Sequence, residues 1–163
     1  MKLIDNVIIP YVFNISEIPM RFKELLNANK VFHEGMNLEN NVHGFRLRLG
    51  RTYLVFFMMW SVVFVALSWI LHFILVKIDF HVLIILTAIV TGLFFVGFSM
   101  FREFLIERAV KKLIEKAWKR HFALFDFKEQ SKNVAQFYGE ALEQEIPIGD
   151  LQRFIFDKLA QVK

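Results

Sequence analysis

Two long runs without a formally charged side chain constrain this chain more than any other feature. They are residues 53–76, with His72 taken as neutral, and residues 82–101, and the short segment between them contains Lys77 and Asp79. At about 1.5 Å per helical residue the runs reach roughly 36 Å and 30 Å, enough to cross a hydrocarbon core of about 30 Å. The sequence therefore predicts an all-α membrane protein built on a two-span antiparallel transmembrane helical hairpin, with both chain ends on one side.

The hairpin divides the chain into three predicted parts. These are an N-terminal cytoplasmic or interfacial helical segment (1–50), the hairpin (51–104) and a C-terminal cytoplasmic helical region (105–163). A mean hydropathy of +0.43 and a hydrophobic content of 56% are typical of the membrane class. Because neither flank alone is long enough to bury a large core, we expect each to pack on the other, on the membrane or on a neighbouring chain.

The N-terminal flank contains one clear helix signal and two ambiguous segments. Ser16 is a candidate N-cap for an amphipathic helix over 17–33. Pro10 interrupts the first fifteen residues, which suit a short strand, an extended arm or a helix ending at Ile9. Residues 36–50 alternate like a strand near their end but also show helical spacing. We favour an interfacial helix there, because a lone strand would leave its edges unpaired.

The C-terminal flank is predicted to be helical throughout. The second span is predicted to continue beyond the membrane as helix, since residues 102–125 contain no Gly or Pro. Asp126, with Glu129 three residues on, forms a capping box for an amphipathic helix to about Glu145, and Asp150 caps a last amphipathic helix.

Apolar side chains recur at helical spacing along this flank and need a partner. We predict that they form an assembly surface that binds a second copy or another membrane subunit. The residues of this predicted assembly surface are Ile106, Val110, Leu113, Ala117, Trp118, Phe154, Ile155 and Leu159.

Basic residues flank the two spans on one side, whereas the connecting segment is nearly neutral, which is the positive-inside pattern. We therefore place both termini in the cytoplasm, or in the matrix, and the protein in a bacterial or mitochondrial inner membrane. The same residues form a collar that is expected to meet anionic lipid headgroups. The collar residues are Arg46, Arg48, Arg51, Arg102, Arg108, Lys111 and Lys112.

The polar and small residues within the two runs are predicted to meet in an intramembrane polar seam. In an antiparallel hairpin Ser61 would face Ser99, Ser68 would face Gly92 and His72 would face Ala88, and small or hydroxyl residues favour close helix contact. A pore lining is the alternative for these residues, and a proton-sensing or metal role is the alternative for His72. The complete set is Ser61, Ser68, His72, Ala88, Thr91, Gly92 and Ser99.

The composition excludes several function classes. The chain has no cysteine, so thiolate metal sites, disulfides and cysteine nucleophiles are excluded. It contains no nucleotide-binding, metalloprotease or nucleophile-elbow motif, and its histidines are dispersed, so we expect no enzyme activity, no cofactor, no metal site and no nucleic-acid partner.

The leading hypothesis is a non-catalytic integral membrane protein that assembles through its cytoplasmic helices, as a homo-oligomer or as a structural subunit of a larger complex. A homo-oligomeric channel or membrane-permeabilising pore gated by those helices is the alternative. A sensor of anionic lipid headgroups is the third hypothesis.

Overall fold

The computed structural model describes residues 4–75 and 79–161, and within those ranges it is all-α apart from one two-stranded sheet. A π-helical turn, Ile4–Ile8, precedes the first α-helix. The elements are then α1 (Ile9–Val12), β1 (Phe13–Ile15), α2 (Phe22–His33), α3 (Leu38–Asn41), β2 (Phe45–Leu47), α4 (Leu49–Leu75), α5 (Phe80–His121), α6 (Phe127–Glu143) and α7 (Ile148–Gln161).

The contacts divide the chain into two compact units. The span unit comprises Met1–Val12 and Leu47–Leu105, and the helical unit comprises Phe13–Arg46 and Ile106–Lys163. Each unit is therefore built from two separate stretches of sequence.

The span unit contains two helices that are long and apolar enough to cross a membrane, α4 and the apolar part of α5. Only 6% of the most apolar window of either helix is buried within the protein, so these side chains are available to lipid rather than to a protein core. Both helices lie close to the predicted spans. Asp79 determines where α5 begins, because its carboxylate Oδ1 accepts the backbone N–H of His81 at 2.8 Å.

The helical unit has a hydrophobic core of its own. Helix α2 packs on α6, and α6 packs on α7, so residues from before and after the spans share one core. The prediction that each flank needs a packing partner is therefore met by the other flank. The largest fully buried side chains of this core are Leu25, Leu26, Val110, Ile114, Phe122, Val134, Ile155 and Leu159.

Helix α2 begins at Phe22, five residues later than the sequence predicts. Pro19 disfavours helical geometry for the residue before it, so the chain from Ser16 to Met20 stays outside the helix. The N-cap is Arg21, whose backbone N–H donates to Oε2 of Glu24 at 2.9 Å. The Ser16 hydroxyl instead accepts the backbone N–H of Ile18 at 3.2 Å.

The interfacial helix predicted over residues 36–50 is wrong. Asn37 caps only the short helix α3, and the chain then forms strand β2, which pairs with β1. The backbone N–H of Ser16 donates to the carbonyl of Gly44 at 2.8 Å, and the Phe13 and Phe45 rings lie 5.7 Å apart. The strand has the partner that the sequence reading did not identify.

Two C-terminal helix starts follow from local chemistry. Asp126 caps α6 by accepting the backbone N–H of Lys128 at 2.7 Å, as the sequence predicts. Helix α7 begins at Ile148 rather than after Asp150, and the carbonyl of Pro147 accepts the Leu151 N–H at 3.1 Å.

Candidate membrane-embedded site

Aromatic side chains make the described contacts between α4 and α5. The rings of Tyr53 and Phe98 stack with their centroids 3.8 Å apart and their planes 7° from parallel. The Phe56 ring, only 7% exposed, has its centroid 5.2 Å from that of Phe94 and 5.4 Å from that of Phe101. These contacts lie at the end of α4 where the helix begins.

Gly97 permits this close approach. A Cβ atom at Gly97 would lie 3.3 Å from Cζ of Phe56 and 3.9 Å from Cζ3 of Trp60. At Gly92, by contrast, no described atom lies within 4 Å of such a Cβ. Gly97 is therefore the small residue that adjoins α4, and it is not one of the predicted seam residues.

The predicted seam residues lie mostly on open surface. Ser61 and Ser68 are half-buried, whereas the other members of the set, His72, Ala88, Thr91, Gly92 and Ser99, are exposed. The Thr91 hydroxyl donates to the carbonyl of Thr87 in its own helix at 2.8 Å. The described ring contacts do not include any seam residue, so the seam stays a prediction, and the aromatic contact is the observed junction.

A groove of about 560 Å³ runs along one face of α4. It is lined by Phe64, Val65, Ser68, Trp69 and His72. Trp69 is 81% exposed, and tryptophan is enriched at membrane–water interfaces. The His72 side chain also makes a polar or ring contact with another group of the chain. The groove is apolar with two polar groups, a surface suited to contact with lipid or with another span.

Part of the predicted basic collar lies in the span unit. Arg48, Arg51 and Arg102 belong to it, and the ring contact between Phe56 and Phe101 brings the start of α4 close to the residue that precedes Arg102. The Arg51 guanidinium donates to the carbonyl of Tyr11 at 3.3 Å and lies 4.9 Å from the centroid of that ring. Three cations are therefore found at one end of the helix pair.

The other collar residues belong to the helical unit. Arg46 and Lys111 are exposed, and Arg108 and Lys112 are half-buried. Binding of these residues to anionic headgroups stays a prediction.

Most residues of the predicted assembly surface lie inside the protein, and their role in assembly stays a prediction. Six of its eight members are at most 7% exposed: Ile106, Val110, Ala117, Trp118, Ile155 and Leu159. Leu113 and Phe154 are half-buried. Part of the same core comes from α2, so the N-terminal flank is the partner of these apolar residues within the chain.

A buried polar bridge joins α2 to α6. Asn29 is fully buried, and its side-chain Nδ2 donates to the carbonyl of Ser131 at 2.6 Å. His33 Nε2 lies 3.1 Å from the Ser131 hydroxyl. Burial lowers the pKa of His33, and the nearby Lys132 cation lowers it further. No signal in the sequence indicated this bridge, since Asn29 and Ser131 are 102 positions apart.

The distance between His33 and Ser131 matches that of a base and a nucleophile, but the setting does not suit catalysis. Ser131 is only 4% exposed, so a substrate carbonyl has no route to its hydroxyl. The pair therefore serves to position α2 on α6. Among residues 4–75 and 79–161, no group of three His, Cys, Asp or Glu side chains is placed to hold a metal ion.

The helical unit has open surface grooves, of which two combine charged side chains with apolar ones. One, of about 400 Å³, combines the aromatic rings of Trp118, Phe122 and Phe125 with Lys119 and Lys128. The other, of about 200 Å³, places Lys116 and Arg120 beside Glu17 and the loop before α2. The first groove has an open apolar floor and the second has charges of both signs, so neither groove is selective for one class of ligand.

Comparison with protein-family models, with characterised proteins and with solved structures found no match to this chain.

Proposed function

We propose that the chain is a non-catalytic integral membrane protein whose two spans form an antiparallel hairpin that anchors the helical unit at one membrane face. The observation that carries this proposal is the packing of α2 on α6. Helix α2 precedes both spans and α6 follows them, so their shared core requires both flanks to lie on the same side. A chain that returns to its starting side crosses the membrane an even number of times.

The orientation follows from the charges. Arg48, Arg51 and Arg102 adjoin one end of the helix pair, whereas the connecting segment carries one Lys and one Asp, Lys77 and Asp79. The positive-inside rule then places the helical unit in the cytoplasm, or in the matrix, of an inner membrane, with the collar at anionic headgroups.

Assembly completes the proposal, as a homo-oligomer or as a subunit of a larger membrane complex. Because the predicted assembly residues are buried, the exposed apolar surface of α4 and α5 is the surface that remains for contact with other spans. Small and hydroxyl residues on α5, Ala88, Thr91, Gly92 and Ser99, are exposed together there, and such residues favour close helix association.

Labelling of single cysteines tests the topology, because the natural chain has none. The full chain carrying Met36→Cys, Leu142→Cys or Asp79→Cys is treated with an impermeant maleimide in intact cells and in inverted vesicles. We expect Met36→Cys and Leu142→Cys to react only in inverted vesicles, and Asp79→Cys only in intact cells. Labelling of Met36→Cys and Leu142→Cys from opposite sides would overturn the hairpin.

Native mass spectrometry in a mild detergent tests assembly. We expect a defined oligomer or a stable complex with another membrane subunit. A homogeneous monomer that binds no other protein during gentle extraction from its own membrane would overturn this part of the proposal.

A homo-oligomeric pore is the second candidate, and the exposure of the polar face of α5 favours it. If copies turn Thr91 and Ser99 toward a shared axis, that axis is lined by hydroxyls rather than by hydrocarbon. Planar-bilayer recording from the purified oligomer tests this function. Absence of current across voltage, membrane tension and pH would exclude it.

A further inference from the structure

The segment from Ile4 to Val12 belongs to the span unit, but it is neither a span nor part of the predicted basic collar. It consists of the π-helical turn and α1, and α1 packs against α4. Ile9 is 2% exposed and Val12 is fully buried, so one side of the segment is used in packing. The backbone N–H of Arg48 also donates to the carbonyl of Val12 at 2.8 Å.

The other side of this segment is apolar and uncovered. Val7 is 60% exposed and Tyr11 is 41% exposed, four positions apart, and Pro10 is exposed between them. Leu49 at the start of α4, next to the Arg48 contact with Val12, is also 49% exposed. Water is a poor solvent for such a surface.

The contacts of Arg51 with Tyr11 fix the depth of this segment relative to the membrane. The Arg51 guanidinium contacts both the ring and the carbonyl of Tyr11, and it adjoins the charge-free run that begins at Tyr53. A tyrosine paired with a cation at the end of a span is typical of the membrane–water boundary. Val7 and Tyr11 are therefore held at the depth of the lipid headgroups.

We propose that residues 4–12 form an interfacial anchor that lies in the bilayer surface, with Val7 and Tyr11 inserted among the lipid headgroups and upper acyl chains. The occupant of this apolar face is the lipid bilayer. Amphipathic segments of this kind insert about 5–10 Å into the boundary. This inference rests on the proposed membrane location of α4 and α5, and it adds a third membrane-contacting element to the two spans.

Electron paramagnetic resonance on the full chain in liposomes of phosphatidylcholine and phosphatidylglycerol tests this anchor. A nitroxide is attached to Val7→Cys, and its collisions with oxygen, which concentrates in lipid, are compared with those of a water-soluble nickel chelate. Val7 is 60% exposed, so its replacement removes little packing. Asn6→Cys, on the neighbouring exposed polar position, is the matched control, and Ile148→Cys in the helical unit reports on water.

We expect oxygen collisions to exceed nickel collisions at Val7→Cys and the reverse at Asn6→Cys and Ile148→Cys. Nickel collisions at Val7→Cys equal to those at Ile148→Cys would overturn the anchor, and so would low collision rates with both oxygen and nickel at Val7→Cys, which indicate that protein rather than lipid covers this residue. Val63→Cys, in the middle of α4, separates the two proposals. If Val63→Cys is reached by nickel, the membrane location itself fails. If Val63→Cys is in lipid and Val7→Cys is in water, only the anchor fails.

Discussion

Replacing Gly97 and Gly92 in turn measures which face of α5 adjoins α4. The Cβ of Gly97→Val would lie 3.3 Å from Cζ of the buried Phe56 ring, and its two methyl groups would extend further toward that ring. Overpacking of this kind costs about 1–3 kcal/mol. Valine has a higher helix propensity than glycine by a few tenths of a kcal/mol, which offsets a small part of the cost.

Gly92→Val is the matched control, because no described atom lies within 4 Å of the added Cβ. The same propensity gain applies to both variants, so the difference between them isolates the packing cost. We expect Gly97→Val to lower the free energy of unfolding by about 1–3 kcal/mol and Gly92→Val to leave it unchanged or slightly raised.

The measurement is reversible unfolding of the full chain from mild detergent by titration with sodium dodecyl sulfate, followed by tryptophan emission. A hairpin joined by the predicted polar seam would give the opposite order, because Gly92 would then face Ser68. A larger loss of stability for Gly92→Val than for Gly97→Val would therefore refute the aromatic junction.

Three further predictions concern the helical unit, each measured by thermal or urea unfolding of the full chain. Phe122→Ala should lower the free energy of unfolding by about 3–5 kcal/mol, because this ring is 1% exposed and packs on three other rings. Leu124→Ala is the control, and because Leu124 is 91% exposed it should change the free energy of unfolding by less than about 0.5 kcal/mol. Equal effects of the two replacements would contradict the burial of Phe122 in the core. Because the pKa of His33 is lower in the folded chain than its ordinary value of 6.5, the unfolded chain binds a proton first, so stability should be complete above about pH 6.5 and fall as the pH drops toward the lowered pKa. His33→Gln should flatten this slope between pH 7 and 5, and an unchanged slope would assign it to another group. Asp126→Ala should lower the free energy of unfolding by about 0.5–2 kcal/mol, because it removes the N-cap of α6. Asp126→Asn should retain most of the stability, since asparagine is also a good N-cap. If Asp126→Ala unfolds identically to the natural chain, the cap is not needed.

The long apolar helices and the N-cap of α6 were predictable from sequence because their causes are local. A charge-free run of span length has few other solutions, and Asp126 caps the helix that follows it. The start of α2 was missed because the effect of Pro19 on its preceding residue outweighs the capping preference of Ser16.

The features that sequence reasoning missed depend on residues far apart in the chain. Strand β2 competes with a helical spacing over the same residues, and only its pairing with β1 decides the outcome. The bridge between Asn29 and Ser131 has no local signature. The contact of Gly97 with Phe56 depends on how the two apolar helices cross, and periodicity alone gives only the candidate faces.

The bridge between Asn29 and Ser131 has a consequence for how the protein is made. The ribosome must synthesise the 102 positions that separate them, including both apolar helices, before α2 meets α6. At about 5–20 residues per second that interval is roughly 5–20 s. During this time Leu25, Leu26 and Val31 have no native partner on α6, so the apolar face of α2 is exposed to aggregation until α6 has been synthesised.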